Sequence, residues 1–244
     1  MAKRTDAPAR GAVIDLWGLN RSPRRVGAWT ISPSDLVFLW SQCRRCFWLK
    51  VAQGKRRPQG PFPQVFSRID RAMKSALVGK RAESVVDGAP TGVIRSADSW
   101  VKSMPMLLRE GSTPVVVRGR VDVLVARDDG TVAVVDFKTG PTDPVARYGP
   151  QLAAYAHALE HPATGGSLTV TATGLLIFSP GGFEAAGERA ALVGGLHWVD
   201  MPRNRAAFEA FLAEVVTMLD RPEPPPPSPG CSWCSDEARS FPLA

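Results

Sequence analysis

Apolar residues in this chain keep two rhythms, one helical and one alternating, and the switches between them predict its elements. Ser32-Pro33-Ser34-Asp35 reads as a helix start, with a capping serine, a proline at the first helical position and an early acid. Leu36, Leu39, Trp40, Cys43 and Phe47 then carry one helix to about Val51. Gly54 to Pro63 is a basic, Gly/Pro-rich break. Val65, Ile69, Met73 and Leu77 recur every fourth residue and predict a second helix over about 64–78. Three strands are expected next, over about 91–104, 114–127 and 131–138. Val115-Val116-Val117 and Val121, Val123, Val125 give the middle one its β-branched character, and Asp128-Asp129-Gly130 signals a hairpin. Gly149-Pro150 opens a helix of about 150–160. A strand follows near 168–179, Ser179-Pro180-Gly181-Gly182 reads as a turn, and another extended stretch covers about 183–200. A last helix spans about 203–220.

Helices, a β-meander, a crossover helix, more strand and a closing helix predict an α/β (α+β) fold, a central mixed β-sheet flanked by helices. The chain divides into an irregular basic segment (1–30), one main domain (31–221) and a tail (222–244). The tail opens with a stiff proline-rich connector, Pro222 to Pro229, that delivers Cys231-Ser232-Trp233-Cys234. At 44% hydrophobic and 22% charged residues, the 244-residue chain can bury a real core. No apolar run is long enough to span a membrane, and the basic N-terminus lacks a following apolar stretch, so the expected compartment is the cytoplasm. Thiols there stay reduced, so four cysteines ask for a role other than disulfides. A net charge of +7 suits a polyanionic partner such as nucleic acid, or simply a soluble basic protein.

The strongest chemistry lies in Gly119-Arg120-Val121-Asp122 and Val135-Asp136-Phe137-Lys138-Thr139-Gly140. A three-residue loop at Asp128-Asp129-Gly130 pairs Arg127 with Thr131, and counting back sets Asp122 opposite Asp136. Strand alternation puts Lys138 on the face of Asp136. Two carboxylates about 5 Å apart repel by roughly 3 kcal/mol at an effective dielectric near 20. They need a compensating cation, and hard oxygen donors suit Mg²⁺ or Mn²⁺. Such an ion polarises a phosphodiester and activates water, while Lys138 orients that water or offsets charge on the phosphate. The plainer alternative is two solvent-facing strand-end aspartates salt-bridged to Lys138. Gln151 and Tyr155 follow one helical turn apart, near a helix N-terminus suited to phosphate, where Gln151 could hold the scissile phosphate or water and Tyr155 the DNA backbone. A surface Gln and a packed Tyr are the alternative.

The set Gly-Arg-Val-Asp, Asp-Phe-Lys-Thr-Gly and Gln-x-x-x-Tyr resembles the RecB-like branch of the PD-(D/E)XK nucleases, which includes CRISPR-associated RecB-like exonucleases and the nuclease domains of bacterial recombination helicases. The resemblance covers about residues 30–160. It implies a restriction-endonuclease-like αβββαβ core and DNA hydrolysis. It makes Asp122, Asp136 and the Phe137 carbonyl metal ligands and Lys138 catalytic. The branch usually carries a helix histidine in a Gly-x-x-x-His setting. Here Phe66-Ser67-Arg68-Ile69-Asp70 occupies that stretch, so either Asp70 replaces the histidine as an oxygen ligand or the position is lost. His157, His161 and His197 lie elsewhere and read as ordinary surface or core histidines.

Cys43-Arg44-Arg45-Cys46 and Cys231-Ser232-Trp233-Cys234 together supply four thiolates, enough for Zn²⁺ or an iron–sulfur cluster. Spacing does not choose between them. The resemblance leans to [4Fe–4S], although its usual arrangement is one cysteine plus three; here it is two plus two, with Ser240 near the place of a third C-terminal cysteine. A shared centre would staple the first helix to the tail, with Trp233 as its shield. Arg44, Arg45, Lys50, Lys55, Arg56 and Arg57, interleaved with Trp40 and Trp48, form either a DNA groove or a solvated charged face over core tryptophans. The functions expected are a DNA exonuclease in repair, recombination or phage- or CRISPR-related processing; a catalytically impaired, nuclease-derived DNA-binding or scaffold module; or a cluster-bearing subunit needing a protein partner.

Overall fold

The structure, a computed structural model, describes residues 27–57, 63–142 and 145–234. Most of the expected N-terminal segment and Ser240 lie outside them. The elements run β1 (Trp29–Ile31), α1 (Pro33–Phe38), α2 (Arg44–Gln53), α3 (Gln64–Leu77), β2 (Val93–Lys102), β3 (Val115–Ala126), β4 (Val132–Thr139), α4 (Gly149–Glu160), β5 (Val170–Ala186), β6 (Arg189–Asp200) and α5 (Arg205–Leu219). The central sheet is mixed: β1 and β3 are parallel, β3 and β4 antiparallel, β4 and β5 parallel, and β5 and β6 antiparallel. β2 pairs antiparallel with β3. The expected α/β sandwich is present, and α3-β2-β3-β4-α4-β5 gives its αβββαβ order.

Helices cover both faces of the sheet. Met73 and Leu77 of α3 pack on Ile94, Val123, Val125, Val135 and Leu176. On the other face Leu152, Tyr155 and Leu159 of α4 meet Val134, Leu175 and Ile177. Alternation along β5, with Leu175 and Ile177 to one side and Leu176 to the other, follows from a strand buried on both faces. Leu212, Val215 and Leu219 of α5 join Phe47 and Trp48 of α2 in a third cluster beside β1.

Three expectations are corrected. The single helix expected from Ser32 to about Val51 is two, because the chain breaks between Phe38 and Arg44. The Leu39 and Trp40 amides both turn back to the Asp35 carbonyl, and the Ser41 hydroxyl donates to the Val37 carbonyl. Cys43 then takes an extended conformation (φ −158°) as the N-cap of α2. The expected turn at 179–182 is instead a bulge, where the pairing with β6 slips between Pro180 and Gly182; the chain reverses later, at Gly187 with φ 61°. Trp29–Ile31, at the end of the expected irregular segment, is a strand.

Candidate active site and cysteine centre

β3 and β4 pair at only four positions, from Ala126↔Val132 to Val123↔Val135. The hairpin sets that register as expected. The Arg127 amide donates to the Thr131 carbonyl at 2.9 Å, Gly130 takes φ 81°, and Asp129 Oδ1 accepts from the Thr131 amide and hydroxyl. The next residues on the same count are Asp122 and Asp136, where the ladder stops. Val115 of β3 also pairs with Met106 on the β2 side, so β1, paired with Val115–Val117, lies on the same edge as β4. Between these two partners, β3 from Arg118 to Asp122 has no strand on that edge among the described residues. β4 continues with β5 alone, through Asp136↔Leu175 to Thr139↔Phe178. The sheet therefore opens as a fork, with one motif aspartate on each arm.

α3 closes the fork with charge. Lys74 Nζ lies 3.1 Å from Asp70 and 3.2 Å from Asp122. Lys138 Nζ lies 2.5 Å from Asp136 Oδ2 and 4.7 Å from the centre of the Tyr148 ring. Asp136 is buried, and burial pushes its pKa up; Lys138 opposes that rise, while the charges of Asp122 and Asp70 add to it. Lys74 was missed in the sequence. Its spacing from Asp70, one helical turn, was the available signal.

α4 supplies the remaining wall. Gln151 and Tyr155 are both buried, and Gln151 Oε1 has no hydrogen-bond partner. Burial, with the charges of Asp136 and Asp122, pushes the Tyr155 hydroxyl well above its usual pKa. Gly119 shows why its motif begins with glycine. A Cβ there would lie 2.7 Å from Pro33 Cδ and 3.0 Å from Tyr155 Cε1. Gly140, at φ 139°, turns the chain out of β4 just past Lys138. A groove of about 480 Å³, lined by Phe38, Phe66, Ser67, Asp70, Phe137, Lys138 and Thr139, leads to the lysine. Arg147 lies against the Tyr148 ring beside it and donates to the Tyr148 hydroxyl at 2.9 Å.

The profile of the PD-(D/E)XK nuclease superfamily matches residues 44–238. The chain belongs to the PD-(D/E)XK nuclease superfamily. A solved structure described as "Crystal structure of SSO0001" aligns with a TM-score of 0.47 at 16% identity, covering 79% of this chain and 78% of that one. No curated protein matches the chain. Membership makes this a nuclease-type domain whose chemistry generally depends on a divalent metal and whose substrate class is DNA. The fork fits such an ion: its donors are hard oxygens, and like charges are massed on a buried carboxylate. Two lysine ammonium groups sit against the same oxygens.

The four cysteines of this PD-(D/E)XK chain form a separate centre. All four are buried, and their Sγ atoms lie within 4.8 Å of one another. Cys46 Sγ is 3.5 Å from Cys234 and 3.6 Å from Cys231, and Cys43 is 3.9 Å from Cys234. The Ser228 amide donates to Cys43 Sγ and Arg57 Nη2 to Cys231 Sγ, each at 3.5 Å. Burial opposes the Cys43 thiolate, but the Ser228 and Cys46 amides and neighbouring thiols outweigh it and bring its pKa to about 6. Burial pushes Cys46 up to about 11. Leu39 and Trp233 pack over the centre.

The basic residues beside it are mostly engaged within the chain. Arg44 pairs with Glu214 at 2.8 Å, Lys50 with buried Asp35 at 2.5 Å, and Arg57 also bonds Gln42. Arg45 reaches the Pro225 carbonyl at 3.4 Å; Lys55 is half-buried, and Arg56 is exposed. Of the two readings of Trp40 and Trp48, the core one holds: both are buried, Trp40 edge-on to Phe47 at 5.4 Å. Among the histidines, His157 is held against His161 and Phe208, and burial brings its pKa down to about 4.

Proposed function

We propose that this chain is a Mg²⁺- or Mn²⁺-dependent deoxyribonuclease of the RecB-like branch that hydrolyses DNA from an end. The observation that supports this reading is the fork, where Lys74 bridges Asp70 and Asp122, Lys138 pairs with Asp136, and a groove lined in part by Asp70 and Lys138 runs alongside. Asp122, Asp136 and the Phe137 carbonyl would hold the ion, with Asp70 as a further oxygen donor. When bound, the ion polarises the phosphodiester and makes a water acidic enough to supply hydroxide. Lys138 then orients that water and offsets charge gathering on the phosphate. Gln151 offers its unpaired Oε1 as an acceptor for the water, and Tyr155 donates its proton-holding hydroxyl to the strand. A bond forms from the water oxygen to phosphorus, one P–O ester bond breaks, and the leaving oxygen takes up a proton. Such an activity belongs in repair, recombination, or phage- or CRISPR-related DNA processing, alongside a protein partner.

One observation favours a second reading. Lys74 already neutralises Asp70 and Asp122, as a nuclease-derived DNA-binding module would allow. Incubating end-labelled linear and closed circular DNA with Mn²⁺ or Mg²⁺ separates the two. The exonuclease reading expects metal-dependent loss of the linear substrate and survival of the circle. Binding without cutting in either metal would favour the module, and cutting of the circle would make the enzyme an endonuclease.

A further inference from the structure

We infer that the cysteine centre holds a single zinc ion as a structural clasp, in place of the iron–sulfur cluster that the sequence resemblance points to. The first ground is the sulfur spacing. Four thiolates around one ion at about 2.3 Å form a tetrahedron whose edges are about 3.8 Å. The close pairs here measure 3.5, 3.6 and 3.9 Å, and all four sulfurs fall within 4.8 Å of one another. A [4Fe–4S] cubane attaches each thiolate to a different iron and needs room for four inorganic sulfides between them. Its cysteine sulfurs stand well apart, whereas several of these are near van der Waals contact.

The second ground is the surroundings. Cys43 and Cys46 are essentially sealed, Cys231 and Cys234 nearly so, and Leu39 and Trp233 complete the cover. A full set of protein ligands in a closed shell is the arrangement of structural zinc; a catalytic ion keeps a position open. Four thiolates on a divalent ion leave an excess of negative charge. The Ser228 amide and the Arg57 guanidinium, each 3.5 Å from a sulfur, are placed to spread it. Among the common divalent ions, thiolate sites hold zinc more tightly than iron(II). The C-x-x-C pairs sit 188 residues apart from Cys46 to Cys234, so the ion ties the start of α2 to the chain's tail. It pins the proline-rich connector against α2 on the way, through Ser228. This clasp stands apart from the carboxylate fork, and its test does not depend on DNA cleavage.

The test is the metal content of the full chain purified without oxygen from iron-replete cells, read together with acid-labile sulfide, the visible spectrum and X-ray absorption at the zinc edge. The expected result is one zinc per chain, iron and sulfide at background, no absorption band in the blue, and a single shell of four sulfurs at about 2.3 Å. Iron and sulfide in equal amounts with a broad visible band would overturn the inference, and so would one iron without sulfide. Zinc can displace a cluster during expression, so a second arm strips the protein and offers it Fe²⁺ with sulfide, or Zn²⁺ alone. Zinc alone should restore the parent melting temperature. Restoration only by iron and sulfide would also overturn the inference.

Discussion

Three aspartates at the mouth of the sheet and four cysteines where the start of α2 meets the tail each gather metal-type donors, but they contain them differently. The aspartates are hard donors on separate elements, α3, β3 and β4, and two lysines already neutralise part of their charge. A groove lined by Asp70 and Lys138 opens beside them. The cysteines are soft donors sealed in the core, with the Arg57 guanidinium at their rim. An ion can be exchanged at the first site while internal cations hold its place. At the second site a bound metal would hold four thiolates together. The open site is suited to turnover and the closed one to stability.

The largest effect should come from breaking the closed site. Cys46→Ser removes one of the four buried thiols; structural zinc sites bind with apparent energies of order 10–16 kcal/mol, the scale of a whole domain's stability. The variant should lose its metal and its cooperative thermal transition, as followed by circular dichroism. A variant that melts like the parent would mean the centre is idle.

Breaking the open site should do the reverse, with activity lost and the fold kept. Asp136→Asn should lower cleavage by about 10²–10³-fold, the range for removing one electrostatic contributor. It should also melt higher than the parent in the absence of divalent metal. Burial raises the folded pKa of Asp136 above its unfolded value, so ionised Asp136 costs stability. That cost is absent below the unfolded carboxylate pKa, grows as pH rises, and is complete above the raised folded value. The gain in melting temperature should therefore be largest at neutral pH and vanish in acid.

Smaller effects sharpen the contrast. Lys50→Met leaves Asp35 buried without its partner and should cost about 1–3 kcal/mol of stability in denaturant titration, with DNA affinity nearly unchanged. A large loss of DNA affinity would return Lys50 to the DNA-binding set. Lys74→Met frees Asp70 and Asp122, both partly exposed. Each pair is worth up to about 1 kcal/mol, so the metal concentration for half-maximal cleavage should fall about two- to five-fold. A rise would place Lys74 in the chemistry itself.

What could be read from the chain depended on how local the signal was. The hairpin register was legible because a three-residue loop with glycine in the left-handed region admits little choice, but it holds only as far as Val123↔Val135, one step short of the expected pairing of Asp122 with Asp136. That the ladder ends there was not legible, because β1, distant in sequence, takes the far end of the same edge of β3. The break before Cys43 was hidden by helical periodicity on both sides of it. Its cause lies in contacts with Phe47, Phe211 and the distant cysteines. The bulge at Pro180 looked like a turn because proline and glycine serve both purposes, and only pairing with β6 tells them apart. The partners of the basic cluster were not legible because Asp35, Gln42 and Glu214, which engage Lys50, Arg57 and Arg44, are not adjacent to them in sequence.

The most direct measurement is a Mn²⁺ titration followed by electron paramagnetic resonance, on the parent and on Asp136→Asn, with zinc content checked in both. A catalytic ion at the fork predicts that the parent takes up Mn²⁺ and that the variant loses this binding while keeping its cysteine-bound metal. Equal Mn²⁺ uptake by the two proteins, or none by the parent even with DNA present, would contradict it.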